Sequence, residues 1–370
     1  MATLEALSGG ALLLIVLLDV FLTILYARLE SSFLAMHVAR VTARAFVRIS
    51  WWLGARRARF VSLCGPTALV VVVALWFSLL TFGSALIVHP ALTREIRNPT
   101  LQGGTDFFTA LYVAGVSLSI VGSSGYEPTT PGYRLLFLAE SGIGMSLMSL
   151  IIAYLVQLYS ALLRRNSVAL KMHALCEGKA DGAELVCRAG PRGHFDSGLS
   201  VFAELASDLA YVRESLHFYP LLLYFRFEEA EYSVSRMVHV ALDAASLTMS
   251  SLEQKSLGWV ADSAAVTQFW RAALLILHTL IQDLDEHSST KDPPSPETLA
   301  FWRARYQEAL RRLRAAGIPT IADDEHGFRR YSELRARWDN FVKTLAPKLA
   351  YDMSEIDRPL NATRRVGEPP

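Results

Sequence analysis

The chain has 370 residues, of which 52% are hydrophobic, and its formal net charge is +1. A charge so close to zero argues against binding nucleic acid through a broad basic surface. The hydrophobic residues are concentrated in the first 165 positions, and the remainder has the composition of a soluble protein. The sequence therefore predicts a membrane part followed by a soluble part.

Residues 1–29 contain an apolar run, GGALLLIVLLDVFLTILYA, that is about long enough to cross a bilayer. A cleaved signal peptide would carry basic residues before the run and a small-residue cleavage site after it, and neither is found here. We therefore expect a retained transmembrane helix. Asp19 lies in its middle, where a carboxylate is costly and faces protein or water. It is either a residue of an ion path or coupling device, or a packed Asp bonded to a neighbouring helix or basic residue.

Residues 30–62 are basic and amphipathic. Arg40, Arg44 and Arg48 recur at four-residue spacing and so share one face of a helix. Together with the surrounding aromatic residues, this pattern predicts an interfacial helix that lies on the membrane and binds anionic lipids. A voltage-sensing helix is the alternative, but it needs charges recurring inside a spanning segment, and the apolar stretches here are short.

Residues 63–165 combine two apolar helices with a loop of small residues between them. Such a loop at membrane depth is tolerated only where it is buried in protein or lines water, so the order of the segments indicates a pore. The predicted parts are an outer helix at 66–89, a short pore helix at 105–118, a Ser/Gly-rich loop at 119–126, the sequence PTTPG at 128–132 and an inner helix at 133–163.

This segment resembles the pore region of the two-helix potassium channels, in a prokaryotic form with a divergent selectivity filter. It aligns without a gap to their pore helix, their T-V-G-Y-G filter and the P-T-T-P-G before their inner helix. The resemblance implies an all-α membrane protein with a potassium-channel-like tetrameric pore, here with an extra N-terminal spanning helix and an all-helical cytoplasmic domain. The filter positions of the family fall in order on Ile120 (threonine), Val121, Gly122, Ser123 (tyrosine), Ser124 (glycine) and Gly125 (aspartate).

A filter of this family replaces the hydration shell of the ion with rings of backbone carbonyls from four subunits, which implies a homotetramer. Val121 and Gly122 can still supply such rings. Ile120 lacks the threonine hydroxyl, Ser123 lacks the packing aromatic ring, and Ser124 replaces a glycine whose backbone shape is costly for other residues. We therefore expect a channel that conducts potassium or discriminates weakly between potassium and sodium, with no cofactor.

The candidate site extends on both sides of these positions. Ser119 begins the filter segment, and Tyr126 and Glu127 stand at its outer mouth. A ring of four Glu127 carboxylates would attract cations, although a structural bond to the pore helix is the equal alternative. Asp106 opens the pore helix, where a carboxylate stabilises the helix dipole and caps the helix.

The inner helix carries two glycines and an acid. Gly144 falls where the family has its gating-hinge glycine, and Gly142 lies two residues before it. Both glycines are interpreted either as a hinge, since glycine weakens a helix, or as small residues for close helix packing. Glu140 is an intramembrane acid and thus a functional candidate, with bracing of the pore helix as the alternative.

The distribution of arginines predicts the orientation. The basic segment 30–62 and the cluster at Arg164, Arg165 and Lys171 both belong on the cytoplasmic side. The N-terminus is then outside, the pore loop enters from the outside, and the C-terminal domain is cytoplasmic. The Ala/Arg/Leu-rich composition suggests a bacterium, and therefore the cell (inner) membrane.

Residues 166–350 are predicted to form a helical domain, followed by a disordered tail at 351–370. Leu299, Trp302, Tyr306, Leu310 and Leu313 form an amphipathic stripe. The sequence lacks a dinucleotide-binding glycine motif and a nucleophile–base set, so we expect no catalytic residue and no enzyme activity. No metal site is expected, because the histidines and the three cysteines, Cys64, Cys176 and Cys187, lack ligand spacing. Helical runs are predicted at 199–218, 221–257, 259–286, 297–316 and 326–346, with loops at 181–198 and 288–298.

The sequence thus predicts a passive cation channel that is gated by an unidentified signal on its cytoplasmic helical domain. The alternative is a membrane sensor or scaffold that derives from a channel and does not conduct, because a ring of Ile120 side chains could exclude water from the pore. A membrane-anchored enzyme is a third hypothesis, and it lacks visible catalytic residues.

Overall fold

The computed structural model describes residues 2–26, 33–53, 56–92, 94–98, 104–119, 121, 124–283, 294–348 and 356–357. Contacts divide the chain into two compact units, Met1–Arg44 with Gly65–Ser160 and Ala45–Cys64 with Ala161–Pro370. Helices dominate both units within these described ranges. The prediction of an all-α membrane protein is confirmed.

The elements up to the inner helix alternate long apolar helices with short segments. They are α1 (Ala2–Val20, continued by a π-helical turn at Phe21–Leu25), α2 (Leu34–Ser50), α3 (Arg57–Ser62), α4 (Cys64–Val88, followed by a 3-10 turn at His89–Ala91), β1 (Ile96–Arg97), α5 (Phe107–Leu118), β2 (Glu127–Pro128) and α6 (Pro131–Leu175). The helices α1, α4 and α6 all lie in segments long and apolar enough to cross a membrane.

Helices α1 and α4 approach closely through a pair of glycines. A Cβ atom on Gly9 would lie 2.4 Å from the carbonyl oxygen of Gly83, and one on Gly83 would lie 3.1 Å from the oxygen of Gly9. Small residues allow such close backbone approach between helices in a membrane, where packing replaces the hydrophobic effect as the source of association. One turn earlier on α1, Glu5 Oε1 lies 2.7 Å from Nδ1 of His89.

Two predicted segments in this half have different bounds in the structure. The segment 30–62 is two helices, α2 and α3, and the division between the units falls inside α2, between Arg44 and Ala45. Within the second unit, the Phe46 ring stacks on Phe60 at 4.8 Å between ring centroids. The inner helix, predicted at 133–163 with a continuation over 163–180, runs without interruption from Pro131 to Leu175.

The second unit is a bundle of helices. After α6 these are α7 (Gly182–Ala189), α8 (Asp196–Phe218), α9 (Val234–Ser251), α10 (Gln254–Ala261), α11 (Ala264–Asp283), α12 (Pro296–Ala315), α13 (Asp324–Ala336) and α14 (Asp339–Lys348), with 3-10 turns at Pro191–Gly193, Pro220–Tyr224 and Ala230–Tyr232.

Helix α9 is the centre of this bundle and is buried along almost its entire length. Its small residues let neighbouring helices approach, so that a Cβ atom on Gly182 of α7 would lie 2.4 Å from the amide nitrogen of Ala244. Four of its hydroxyls bond to carbonyls of the same helix. For example, Ser246 donates to the Leu242 carbonyl at 2.6 Å, and Ser250 to the Ser246 carbonyl at 2.7 Å. The buried Ser235 hydroxyl has no hydrogen-bond partner among the described residues.

Several expectations for this half are corrected. The predicted loop 181–198 is wrong at α7, where Asp181 caps the helix by accepting a bond from the Ala183 amide at 2.9 Å. The predicted helix 221–257 is interrupted before Ser233, which caps α9. A break at Asp262 and Ser263 separates α10 from α11.

The predicted amphipathic stripe lies in α12. Its residues Trp302, Tyr306, Leu310 and Leu313 are all buried.

The predicted disordered tail at 351–370 is wrong at Ile356 and Asp357, which are both buried. The other residues of that range lie outside the described part of the chain.

A fourth helix, Ala264–Ile281 in α11, also has the length and hydropathy of a membrane span. Half of it is buried within the second unit, where it packs against α8 and α9. Phe269 of α11 contacts Phe202 of α8, with ring centroids 5.4 Å apart. Its apolar composition is therefore explained by packing inside the helical bundle.

Candidate functional site

The short helix α5 is a buried element in the first unit. Its side chains Ala110, Val113 and Ala114 are fully buried against residues of α4 and the segment after it, including Ala85, Val88 and Ile96. The helix begins after Asp106, whose backbone carbonyl accepts the first helical bond from Ala110 at 3.2 Å. The Asp106 carboxylate accepts a hydrogen bond from the Thr109 hydroxyl. Asp106 stands at the N-cap position, but the predicted cap is wrong in that its side chain makes no capping hydrogen bond to the helix backbone.

The C-terminal end of α5 contacts the inner helix at Gly144. A Cβ atom on Gly144 would lie 1.7 Å from the carbonyl oxygen of Leu118, a distance that no side chain can occupy. Gly142 has open space around its Cα. The helix α6 continues through both residues, so in this structure Gly144 provides close packing, and neither glycine is the site of a break.

The loop after α5 starts with hydrogen bonds centred on Ser119. Its amide donates to the Gly115 carbonyl at 3.0 Å. Its hydroxyl donates to the Val116 carbonyl at 3.1 Å and accepts from the Val121 amide at 3.3 Å. The Val121 side chain is 79% exposed. Three predicted filter residues, Ile120, Gly122 and Ser123, lie outside the described residues.

The loop then turns back towards the start of α6. The Ser124 hydroxyl accepts a hydrogen bond from the Tyr126 amide at 3.3 Å. Gly125 has a φ of +78°, a left-handed conformation that favours glycine. The family aspartate, which the alignment puts at this position, would be strained in this conformation.

A strand pair and a threonine fix the outer side of the loop. Glu127 pairs with Arg97 in the antiparallel register of β1 and β2, and its side chain is exposed. The amide and hydroxyl of Thr129 both donate to the Glu95 carbonyl, at 2.7 and 2.8 Å. The Thr130 hydroxyl donates to the Glu95 carboxylate at 3.1 Å. These bonds hold the start of α6 against the segment that precedes α5.

Glu140 is an acid in the inner helix, and only 1% of it is exposed. The Ser84 hydroxyl of α4 donates a hydrogen bond to it, and the hydroxyl of Ser117 on α5 lies beside the same carboxylate. The next residue, Ser141, donates to the Ser117 carbonyl at 3.0 Å. Glu140 therefore lies where α4, α5 and α6 meet, and its contacts connect these three helices.

Asp19 is 2% exposed and accepts four hydrogen bonds from residues that the structure describes. Three come from the backbone amides of Phe33, Leu34 and Ala35 at 3.0, 2.9 and 3.3 Å. These are the amides at the start of α2, where the helix has no carbonyl partners of its own. The fourth comes from Nε1 of Trp76 on α4 at 2.8 Å. Asp19 thus binds two neighbouring helices through backbone amides and an indole.

Sequence reasoning missed Trp76 and Ser84, the side chains that serve the two buried acids. A signal for both exists in the sequence. Each is a hydrogen-bond donor inside the apolar run of α4, and a buried donor requires an acceptor. Among the described residues, no group of His, Cys, Asp and Glu has the arrangement of a metal site.

The chain is similar to known membrane proteins over part of its length. Residues 67–161 match a family model described as ion channel, which covers α5, the following loop and most of the two flanking helices. An uncharacterized membrane protein of Bacillus subtilis (strain 168), YdjJ, is 22% identical over 207 residues. That match covers 54% of this chain, and the chain spans 58% of the length of this relative. No solved structure matches the chain.

Proposed function

Because residues 67–161 match an ion-channel family within a multi-pass membrane protein, we propose that this protein is a passive cation channel built as a homotetramer. One observation carries the proposal: a short buried helix, α5, ends against Gly144 and is followed by a hydrogen-bonded loop that returns to the outer strand pair. Irregular backbone at membrane depth requires burial or contact with water, and a pore satisfies this requirement.

The preference for cations follows from the direction of α5. The carbonyl end of a helix carries a partial negative charge, and on α5 that end is Leu118. Four such ends around an axis would stabilise a cation between them. Four exposed Glu127 side chains beyond the loop would add negative charge at the outer mouth.

Ion selectivity depends on the filter segment Ser119–Gly125. The backbone carbonyls of Val121 and Gly122 would form rings of oxygen atoms in the tetramer. Ile120, Ser123 and Ser124 replace the family residues that complete and stiffen the filter. We therefore infer that the pore conducts potassium and discriminates weakly against sodium.

Gating through the helical domain is supported by the inner helix. Helix α6 contributes residues to both units without a break. In the second unit, the Arg165 guanidinium donates to the carbonyls of Leu222 and Phe225, both at 2.9 Å, and Lys171 binds Asp208 at 2.9 Å. A conformational change in the helical bundle would therefore act directly on the inner helix.

The proposed topology places the N-terminus outside and the helical unit in the cytoplasm of a bacterial cell. The exposed arginines Arg44 and Arg48 of α2 would face anionic lipids at the cytoplasmic surface. Cysteine labelling from either side of intact spheroplasts, with single cysteines at Ser8 and Glu325, distinguishes this orientation from its inverse.

A filter variant tests the assignment of selectivity. In Ile120→Thr/Ser123→Tyr/Ser124→Gly, the family sequence is restored, and we expect the potassium-to-sodium permeability ratio to rise about tenfold or more, as the ring geometry narrows. The reversal potential in planar bilayers under bi-ionic conditions measures this ratio. An unchanged ratio in a conducting variant would show that these residues do not form the filter.

A further inference from the structure

The second unit contains a buried ionic cluster that the proposed channel function does not use. Its members come from α9, α12, α13 and α14 together with Asp357, which lies beyond α14. We call it the charge cluster. Its charged residues are Asp243, Arg305, Arg335, Asp339 and Asp357, each less than one-tenth exposed.

Arg335 is the centre of the charge cluster and is fully buried. Its Nε donates to Asp339 at 2.9 Å, and one Nη donates to Asp243 at 3.2 Å. The other Nη donates to the Asp357 carboxylate at 3.0 Å. Arg305 donates to the second oxygen of Asp357, so two guanidinium groups bind the two oxygens of one carboxylate.

Asp357 differs from the other two acids in its place along the chain. Asp243 and Asp339 lie within helices of the bundle, whereas Asp357 enters from a segment beyond α14. The Ile356 side chain next to it is also fully buried. The carboxylate is thus presented to the two arginines in the manner of a bound ligand.

Asp357 is the acceptor that both buried arginines share. Arg305 and Arg335 each donate to one of its two oxygens, whereas Lys343 reaches Asp339 from the surface at 2.7 Å with a side chain that is 39% exposed. Loss of the Asp357 carboxylate would leave buried N–H donors of two guanidinium groups without this acceptor, which is unfavourable. The donors therefore favour an anion at the position of the Asp357 side chain.

His239 supplies an independent indication of a ligand position. It is 1% exposed, and its Nε2 has no hydrogen-bond partner among the described residues. This atom lies 3.7 Å from the nearer Asp357 oxygen, beyond hydrogen-bond distance but on the same carboxylate. A slightly larger carboxylate, or one in a slightly different position, could form a hydrogen bond with this nitrogen.

We propose that Arg305, Arg335 and His239 form a carboxylate-binding site, which the chain's own Asp357 occupies and which a free small carboxylate can occupy in its place. Two buried guanidinium groups favour a planar anion with two oxygens, because their paired N–H donors match that geometry. The site does not depend on the proposed transport activity.

A cavity variant of the full-length protein tests the site. We expect Asp357→Gly to lower the thermal midpoint by roughly 10 °C, because it removes the acceptor that two buried guanidinium groups share. Sodium formate or acetate should restore at least half of this loss at concentrations of tens of millimolar, compared with sodium chloride of equal ionic strength. Asp357→Asn should lose stability without recovery, since its amide still fills the position. Glu228→Gly, which removes an exposed ion pair with Arg59, should show neither effect.

A second experiment identifies the source of the carboxylate and remains informative if Asp357→Gly does not fold. A chain that ends at Lys348 is co-expressed with a separate segment of residues 349–370. Recovery of folded protein with the natural segment, and not with a segment that carries Asp357→Asn, supports occupation by the chain's own tail. Recovery with formate alone supports a site for free carboxylates. If neither carboxylate source stabilises any variant, the proposal is overturned.

Discussion

The two units of this protein bury acidic side chains in different ways. In the first unit, Asp19 and Glu140 are bound by backbone amides, an indole and serine hydroxyls. In the second unit, the acids of the charge cluster are bound by guanidinium groups. Among the described residues, the donors to the two acids of the first unit are neutral, whereas those to the acids of the charge cluster include charged guanidinium groups.

This difference follows from the cost of burying charge. A cation in a spanning segment adds its own desolvation penalty to that of the acid, so neutral donors from neighbouring helices are the less costly partners. The second unit buries both signs of charge together, and the pairs compensate each other only when the set is complete. Removal of a partner should therefore be most damaging in the second unit.

The largest effect is expected from Arg335→Met. Loss of the central guanidinium removes the cation that three buried acids share, which costs about 3–5 kcal/mol. In a unit of this size, the thermal midpoint should fall by roughly 6–20 °C. Circular dichroism of the purified protein measures the midpoint. Arg337→Met is the matched control, since Arg337 is exposed, and it should shift the midpoint by less than about 2 °C. Similar midpoints for both variants would contradict the role of the charge cluster.

A smaller effect is expected where α5 meets α6. In Gly144→Ala, the added methyl group would meet the Leu118 carbonyl oxygen, and the backbone must shift. Overpacking of this kind costs about 1–3 kcal/mol, and we expect it at the upper end, with loss of cation flux because the end of α5 moves.

Gly142→Ala is the control for this change, because the methyl group would enter open space. It should keep flux and gain up to about 1 kcal/mol from helix propensity. Normal flux in Gly144→Ala would show that this close contact does not position the pore helix.

A still smaller loss is expected from Trp76→Phe. The change removes one of the four described donors to Asp19 and leaves the three backbone amides of α2 in place. The lost hydrogen bond at a buried site should lower stability by about 1–2 kcal/mol. Melting of the protein in detergent measures the loss, with Trp52→Phe as the control because Trp52 is 91% exposed. Equal stability of the two variants would mean that the indole bond contributes nothing.

The smallest effect concerns pH in the second unit. Burial lowers the pKa of His239. The nearby arginines lower this pKa further, and the nearby aspartates oppose the shift. The folded state therefore keeps His239 neutral, while the unfolded state takes up a proton below a pH of about 6.5. Stability is thus complete above this pH and declines as the pH falls below it.

Asp243 affects the pH dependence of stability at lower pH than His239 does. Burial alone would raise the pKa of Asp243, but Arg305 and Arg335 outweigh it and lower that pKa to about 2. Its contribution is present above a pH of about 4 and is lost between about 4 and 2. In His239→Phe, the decline of the thermal midpoint that begins below about pH 6.5 should disappear, and the decline below about pH 4 should remain. An unchanged profile just below about pH 6.5 would exclude His239 as its source.

The pore segment could be predicted from the sequence because its signals are local. The apolar runs, the glycine-rich loop and the PTTPG motif lie within one stretch, and each is readable without knowing the fold. The same stretch supports the match at residues 67–161. The partners of the buried acids were not predictable in this way, because Trp76 is 57 residues from Asp19 and Ser84 is 56 residues from Glu140.

The second unit was predicted only as a set of helices. The predicted helix ends were wrong where short turns interrupt an apolar stretch of sequence, as between α10 and α11. The charge cluster was missed altogether, because its members are far apart in sequence. Arg335 binds Asp243 across 92 residues, and Asp357 lies in a range whose polar, proline-containing composition is typical of disorder.

Cation flux through the purified full-length protein is the measurement that tests the channel most directly. Liposomes containing tetramers verified by cross-linking are loaded with potassium, and efflux is followed under a potassium gradient and then a sodium gradient. We predict potassium flux, with sodium flux detectable as well, and loss of both in Gly144→Ala. No flux of either cation, in the natural chain and in Ile120→Thr/Ser123→Tyr/Ser124→Gly, would contradict a conducting pore.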